Sequence, residues 1–144
     1  MLKYTEGIKD ISKDDILRLY NSVNWTTYTK EPDNLIKAIK NSTHVVICTE
    51  NDKLIGLARC LSDDSAIHYL QDILVDPAFQ HRGIGRELLN RCLKRFEHVR
   101  AHVLLTDDDE KQKLFYESVG YTSTKSLKKT VLNCFVKMPG MNLE

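Results

Sequence analysis

The sequence predicts an α/β fold in a single domain, and three observations predict it. Helix-period apolar stripes alternate along the chain with short β-type runs. Two of those runs, His44 to Thr49 and Leu54 to Leu61, flank the polar turn Glu50-Asn51-Asp52-Lys53. Between Ile67 and Phe96 an apolar run, a glycine-bearing turn and an amphipathic helix follow one another. No internal repeat, low-complexity tract or Gly/Ser/Pro linker interrupts the 144 residues, and that length suffices for one substantial core.

In chain order, Lys3 to Ile8 is a first strand. Ser12-x-x-Asp15 opens a helix in the manner of a capping box, and Ile16, Leu17, Tyr20 and Val23 give that helix its apolar face. Asn24 to Lys30 has no apolar period and reads as a loop carrying Trp25 and Tyr28. Pro32 suits the first turn of a second helix with Leu35, Ile36 and Ile39 in its stripe, ending near Asn41. The hairpin 44–61 follows, joined by the Glu50–Lys53 turn, and Ser62-Asp63-Asp64-Ser65 is a second polar turn. Ile67 to Val75 is a largely buried central strand that stops at Asp76-Pro77. From Arg86 the apolar residues Leu88, Leu89, Cys92, Leu93 and Phe96 mark a long helix. A short strand at His102 to Leu105, a helix over the Tyr116 region and a final β segment near Thr130 to Met138 complete the order β-α-α-β-β-β-α-β-α-β.

Composition bounds the function. With 42% hydrophobic and 28% charged residues the chain has the balance of a soluble globular protein. A net charge of +1 gives no general attraction to nucleic acid or membranes. The cationic cluster of Arg82, Arg86, Arg91, Lys94, Arg95 and Arg100 comes with no nucleic-acid-binding motif. The N-terminal MLKYTEGIKD lacks the apolar core of a signal peptide, and no apolar run is long enough to span a bilayer. Cysteines 48, 60, 92 and 134 are scattered without a C-x-x-C pair, which favours buried thiols over disulfides or a zinc site. The expectation is a cytoplasmic protein with no metal, no nucleic-acid partner and no membrane partner.

Gln80-His81-Arg82-Gly83-Ile84-Gly85 carries the strongest local signal. Strand, glycine turn and helix in succession aim free backbone N–H groups and a helix N-terminus at one point, an arrangement suited to a phosphate. Glycine at 83 and 85 permits unusual φ/ψ and close approach of a ligand to the main chain. No Gly-Lys-Ser/Thr follows, which excludes a Walker loop, and the third glycine of a dinucleotide fingerprint would fall at Leu88. The loop resembles instead the acetyl-CoA loop of the GNAT acetyltransferase superfamily, Gln/Arg-x-x-Gly-x-Gly/Ala after a strand, through Gln80, Gly83 and Gly85. Downstream, Phe115-Tyr116-Glu117-Ser118-Val119-Gly120-Tyr121 resembles the same family's Phe-Tyr-x-x-x-Gly-Phe/Tyr helix end, in order and spacing. The phrases at 19–29, 69–85 and 104–121 are similar, more narrowly, to small bacterial GNAT proteins and their plant serotonin-acetyltransferase-like relatives.

The resemblance implies a mixed, mostly antiparallel central sheet flanked by helices over residues 1–144, and acetyl transfer from acetyl-CoA to a primary amine of a small molecule. A protein or peptide acetyltransferase and a catalytically silent coenzyme-binding protein are the alternatives. It implies that His81, Arg82, Gly83, Ile84, Gly85 and Arg86, with Gln80, hold the coenzyme pyrophosphate. The pantetheine arm would pair with Ile73 to Val75 as an extra strand, an N–H near Leu74 or Val75 polarising the thioester carbonyl. Tyr116 takes the general-acid position, where an ordinary phenol pKa near ~10 suits proton donation to a thiolate; the alternative is a ring that packs and hydrogen-bonds the coenzyme sulfur without donating a proton. The base is undetermined: family members place Glu or His at positions matching Tyr69 and Gln71, neither of which is a good base here. Asp72 is the remaining mid-strand carboxylate, with a structural role as its alternative, and water-mediated deprotonation stays open. Strand alternation would put Tyr69, Gln71 and Ile73 on one face and His68, Leu70, Asp72 and Leu74 on the other. Trp25, Tyr28, Arg59 and Tyr69 are the acceptor-site candidates; Arg59 would bind an acceptor carboxylate or point to solvent. Asp63, Asp64 and His68 border the expected cleft and could serve as the base, or else are solvated loop residues. The oligomeric state stays open, a homodimer included.

Overall fold

The computed structural model describes residues 1–143 as two compact units, one ending at Leu105 and the other beginning at Thr106. The first unit carries a five-stranded sheet in the order β1-β2-β3-β4-β5. Its strands are β1 (Leu2–Glu6), β2 (His44–Glu50), β3 (Lys53–Ser62), β4 (Ile67–Val75) and β5 (Ala101–Leu104). The first three neighbouring pairs are antiparallel and β4 with β5 is parallel. The β2–β3 connection is a tight hairpin in which Asn51 and Asp52 have φ of 50° and 63°, the left-handed geometry that such two-residue turns require. A parallel partner for β4 needs a crossover, supplied by the helix α4 (Ile84–Arg95).

Helices cover both sheet faces. On one, α1 (Lys13–Ser22) and α3 (Pro32–Lys40) bring Ile16, Leu19, Tyr20, Leu35 and Ile39 against Val45, Ile47, Leu54, Leu57 and Leu74. Ser12 caps α1 as expected, its hydroxyl accepting from the Asp15 amide at 3.1 Å. Pro32 opens α3. On the opposite face α4 lies close to β3 because residue 56 is glycine. A Cβ there would come within 3.1 Å of both Ile84 and Leu88. Among the described residues no helix is long and apolar enough to cross a membrane.

Four expectations need correction. Residues 24–30 contain a one-turn helix, α2 (Thr26–Thr29), although no apolar period marks it. The long helix begins at Ile84 rather than Arg86, with Gly83 as its N-cap. The segment from Thr130 to Met138 forms no strand; it runs without ladder pairing, and Val131, Leu132 and Phe135 are exposed. An apolar, β-prone run is only a candidate, because a strand exists through its hydrogen-bonded neighbour.

The fourth correction concerns β4. Arg59 pairs with Asp72 but Cys60 pairs with Leu70, so Gln71 is an extra residue and β4 bulges there. The bulge reverses the alternation. Leu70 lies opposite Cys60, facing α4, whereas Asp72 and Leu74 lie opposite Arg59 and Leu57, facing α1 and α3. Tyr69, opposite Leu61, therefore shares the face of Asp72, and Ile73, opposite Ala58, shares that of Leu70.

The second unit holds α5 (Glu110–Ser118), capped by the Asp109 carboxylate on the Lys111 amide at 3.0 Å. It stops at Gly120, where the Tyr121 and Gly120 amides return to the carbonyls of Tyr116 and Glu117 at 3.1 Å each.

Candidate functional site

The end of β4 organises the first unit's candidate site. Pairing of β4 with β5 runs from Ile67↔Ala101 to Leu70↔Leu104 and ends there, whereas pairing with β3 continues through Val75↔Gly56. The bulge at Gln71 sits where the two strands part. Beyond it Ile73, Leu74 and Val75 are hydrogen-bonded on the β3 side, and their other edge extends past β5.

A capped turn links this edge to the glycine loop. Asp76 accepts from the Ala78 amide at 2.9 Å, and its own amide donates to the Ile55 carbonyl at 2.8 Å. Pro77–Phe79 is a single 3-10 turn. Gln80 then reaches back, its amide Nε2 donating to the Val75 carbonyl at 3.2 Å. His81 and Gly83 both have positive φ, 64° and 78°. The two left-handed residues turn the chain so that Ile84, Gly85 and Arg86 enter α4 as its first turn. The first amides of a helix lack intrahelical acceptors, so the loop presents N–H donors together with the positive end of the α4 dipole. Gly85 lies within α4, so an unusual φ does not account for a glycine there.

Cations surround the loop. Arg82 makes a bidentate pair with Glu50 at 3.0 and 3.1 Å and lies 5.8 Å from the Phe79 ring centroid, with Lys53 Nζ at 5.1 Å from the same ring. The Arg82–Glu50 pair is exposed, and exposed ion pairs are weak, so an incoming phosphate can take the guanidinium over.

Beside the bulge, β4 meets α1 and α2 through a buried polar network. Asp72, 3% exposed, accepts from Tyr20 at 3.0 Å, from Tyr28 at 2.8 Å and from Arg59 Nε at 2.5 Å. Gln71 Nε2 donates to the Tyr28 hydroxyl at 3.2 Å. Burial first, then the Asp72 charge, pushes both tyrosine phenols above their usual pKa. Trp25 completes an aromatic cluster, its ring centroid 5.9 Å from Tyr20 and 6.2 Å from Tyr28.

The geometry thus joins four of the sequence candidates, Tyr28, Arg59, Gln71 and Asp72, and adds Tyr20, read from sequence only as part of an apolar stripe. A tyrosine buried in a helix–sheet interface needs a hydroxyl partner, which was the available signal. Arg59 points inward rather than to solvent, committed to Asp72 and near Ser42 Oγ at 3.4 Å. Asp72, with three donors on its carboxylate, has the surroundings of a structural acid. His68 is fully buried against Phe96 instead of bordering a cleft. Asp63 accepts from the amides of Ser65, Ala66 and Ile67, and Asp64 pairs with Arg95 and His98. Both are engaged in shaping the β3–β4 turn. In the second unit, Tyr116 lies on α5 with its ring 5.2 Å from Phe115 and 5.9 Å from Tyr121, and burial raises its phenol pKa.

An extended strand edge followed by a left-handed glycine turn at a helix N-terminus suits a ligand with an extended arm and a pyrophosphate. Residues 8–139 match the family model for an acetyltransferase (GNAT) domain. The chain belongs to the GNAT acetyltransferase family. A GNAT-family acetyltransferase from Streptococcus pneumoniae TIGR4 has the same fold, with a TM-score of 0.77, 26% identity and coverage of 96% of this chain and all of its own. The sequence is 25% identical over 123 residues to an uncharacterized N-acetyltransferase, ycf52, of Pyropia yezoensis, covering 82% of this chain and 69% of that protein. It is 26% identical over 123 residues to a Glycine max protein named histone acetyltransferase TAP1, covering 78% of this chain and 52% of that one. This GNAT protein is accordingly an acyltransferase, and the family implies acetyl-CoA as its co-substrate.

Proposed function

We propose that the protein moves the acetyl group of acetyl-CoA directly to the primary amine of a small molecule. One observation carries this: the Trp25–Tyr28 cluster is tied by Gln71 and Asp72 to β4 at the point where its outer edge leaves β5. An acceptor held by those aromatics would lie beside a thioester aligned along Ile73 to Val75.

In this proposal the amides of residues 81–86 bind the pyrophosphate, with Gln80 holding the loop to β4 and Arg82 and Arg86 contributing charge. The pantetheine arm adds to the β4 edge, and an N–H of Leu74 or Val75 polarises the carbonyl. Trp25, Tyr28 and Tyr69 grip the acceptor. Arg59 and Asp72 hold Tyr28 in place and do not themselves move protons. The amine loses its proton to water, and Tyr116 protonates the departing thiolate. We place this activity in the cytoplasm and in one domain spanning the chain.

The second reading, acetylation of a protein lysine or N-terminus, draws support from the name of the Glycine max relative. Thiol release from acetyl-CoA, measured with polyamines, amino acids, arylalkylamines, histone-type peptides and intact proteins, separates the two. Faster acetylation of intact protein than of every free amine would overturn the small-molecule proposal. Saturable acetyl-CoA binding without transfer to anything in the panel would leave a coenzyme-binding protein.

A further inference from the structure

Behind the sheet, away from the Asp72 network, three buried side chains converge that acetyl transfer does not use. His44 on β2 and Cys60 on β3 are directly paired in the antiparallel ladder, so their side chains share the face turned to α4. Cys92 of α4 meets them there. The imidazole nitrogen and the two Sγ atoms all lie within 4.8 Å of one another. Both cysteines are fully buried and His44 is 7% exposed.

The histidine is oriented as a ligand. Its Nε2 lies 3.3 Å from Glu6 Oε1, while its Nδ1 is buried without a hydrogen-bond partner. A carboxylate on one ring nitrogen fixes the tautomer and leaves the other lone pair free to coordinate, the usual arrangement around metal-bound histidine. No hydrogen bond satisfies that nitrogen, and the neighbouring Cys92 thiol raises the imidazole pKa; a metal ion between the two would take both as ligands. Two thiolates and one imidazole are a soft donor set, suited to zinc or monovalent copper. With Zn2+ the two thiolates make the site neutral, so burial leaves no uncompensated charge. Zn–S bonds of about 2.3 Å and Zn–N bonds of about 2.0–2.1 Å put tetrahedral donors about 3.5–3.8 Å apart, so from the observed limit of 4.8 Å binding would draw the three atoms together by up to about 1 Å.

We propose that His44, Cys60 and Cys92 form a binding site for one thiophilic d10 cation, Zn2+ or Cu+, which pins α4 to β2 and β3. Binding deprotonates the thiols, releases their protons to solvent and changes no oxidation state.

The test uses the full chain, reduced with a phosphine and stripped by a chelator. Co2+ is added as a spectroscopic probe, followed by Zn2+ or Cu+ in separate arms. The expected result is a thiolate-to-cobalt charge-transfer band that saturates at one equivalent. Cys134→Ser leaves the band unchanged, since Cys134 is exposed and is not one of the three converging residues, while Cys60→Ser and Cys92→Ser abolish it. The arm that displaces Co2+ at the lower concentration identifies the ion. X-ray absorption of the loaded wild-type protein should show two sulfur neighbours and at least one imidazole nitrogen, a readout that stands even if the serine variants fail to fold. No charge-transfer band in folded wild-type protein, a shell of nitrogen and oxygen only, or a band that survives Cys92→Ser would each overturn the proposal.

Discussion

Tyr28 donates its hydroxyl hydrogen to Asp72 across 2.8 Å, binding the one-turn helix α2 to the middle of β4. Asp72 and Arg59 are both almost fully buried as an ion pair. Removing one partner strands the other charge in the core. Asp72→Asn should therefore destabilise the protein by about 3–5 kcal/mol. Tyr20→Phe, which removes one hydrogen bond to a charged group, should cost roughly 1.5–3 kcal/mol. Urea unfolding monitored by Trp25 fluorescence measures both, and equal losses for the two variants would contradict this account of the network.

The two loop glycines should separate cleanly. Gly83 has φ of 78° and open space around its missing Cβ, so Gly83→Ala pays backbone strain of roughly 1–2 kcal/mol. Gly85 is in the first helical turn, where valine is at least as good a helix former as glycine. Gly85→Val should fold like wild type by circular dichroism yet lose acetyl-CoA binding in calorimetry. Unchanged affinity would remove the loop from the coenzyme site.

Tyr116→Phe keeps the ring and deletes the proton. The expected effect is a fall in kcat of ~10²-fold or more, the scale of a lost general acid, with acetyl-CoA affinity preserved. Because burial raises this phenol above its ordinary pKa, wild-type turnover should not decline from loss of the Tyr116 proton until pH exceeds the ordinary phenol range. Stopped-flow kinetics across that range would expose an earlier decline.

Trp25→Ala should raise the acceptor KM far more than the acetyl-CoA KM. Trp25 touches the aromatic cluster rather than the glycine loop, so steady-state kinetics with each substrate varied in turn distinguishes acceptor binding from general loosening. Equal shifts in both constants would make Trp25 a structural staple.

His68 should make stability pH-dependent. Burial, then the neighbouring His102 and His44 charges, lowers its pKa to about 4 from 6.5. Its Nδ1 lies 2.9 Å from that of His102, a contact two imidazolium rings cannot share. The unfolded chain therefore binds the proton first. Stability should fall as pH drops from about 6.5 to about 4, by up to one proton's slope from this residue. His68→Phe should flatten that part of the profile in thermal melts taken at successive pH values.

The parts of the fold legible in the sequence are those written locally. The Glu50–Lys53 turn, the Ser12 cap and Pro32 each act through residues a few positions apart and form where expected, while the glycine turn after Gln80 closes at Gly83, two residues earlier than its sequence suggests. The Gln71 bulge was not legible because helices cover both sheet faces, so either parity of β4 buries apolar side chains. The segment near Thr130 to Met138 has strand composition, but composition cannot supply a partner. The Asp72 network was half visible: a carboxylate and an arginine interrupting apolar strands stood out, whereas Tyr20 was concealed in a helix stripe.

The extra residue at Gln71 makes β4 sensitive to length as well as to composition. Removing this single position from 144 would restore unbroken alternation, and one half of the strand would have to exchange its two sets of side chains. Either Leu70 and His68 would turn toward α1, or Asp72 and Leu74 would turn toward α4 and pull Arg59 from its partner. An otherwise conservative indel there is thus equivalent to swapping the contents of two cores, while the same deletion in the Asp63–Ser65 turn shortens only a connection. Alignments of related chains should keep their gaps out of β4.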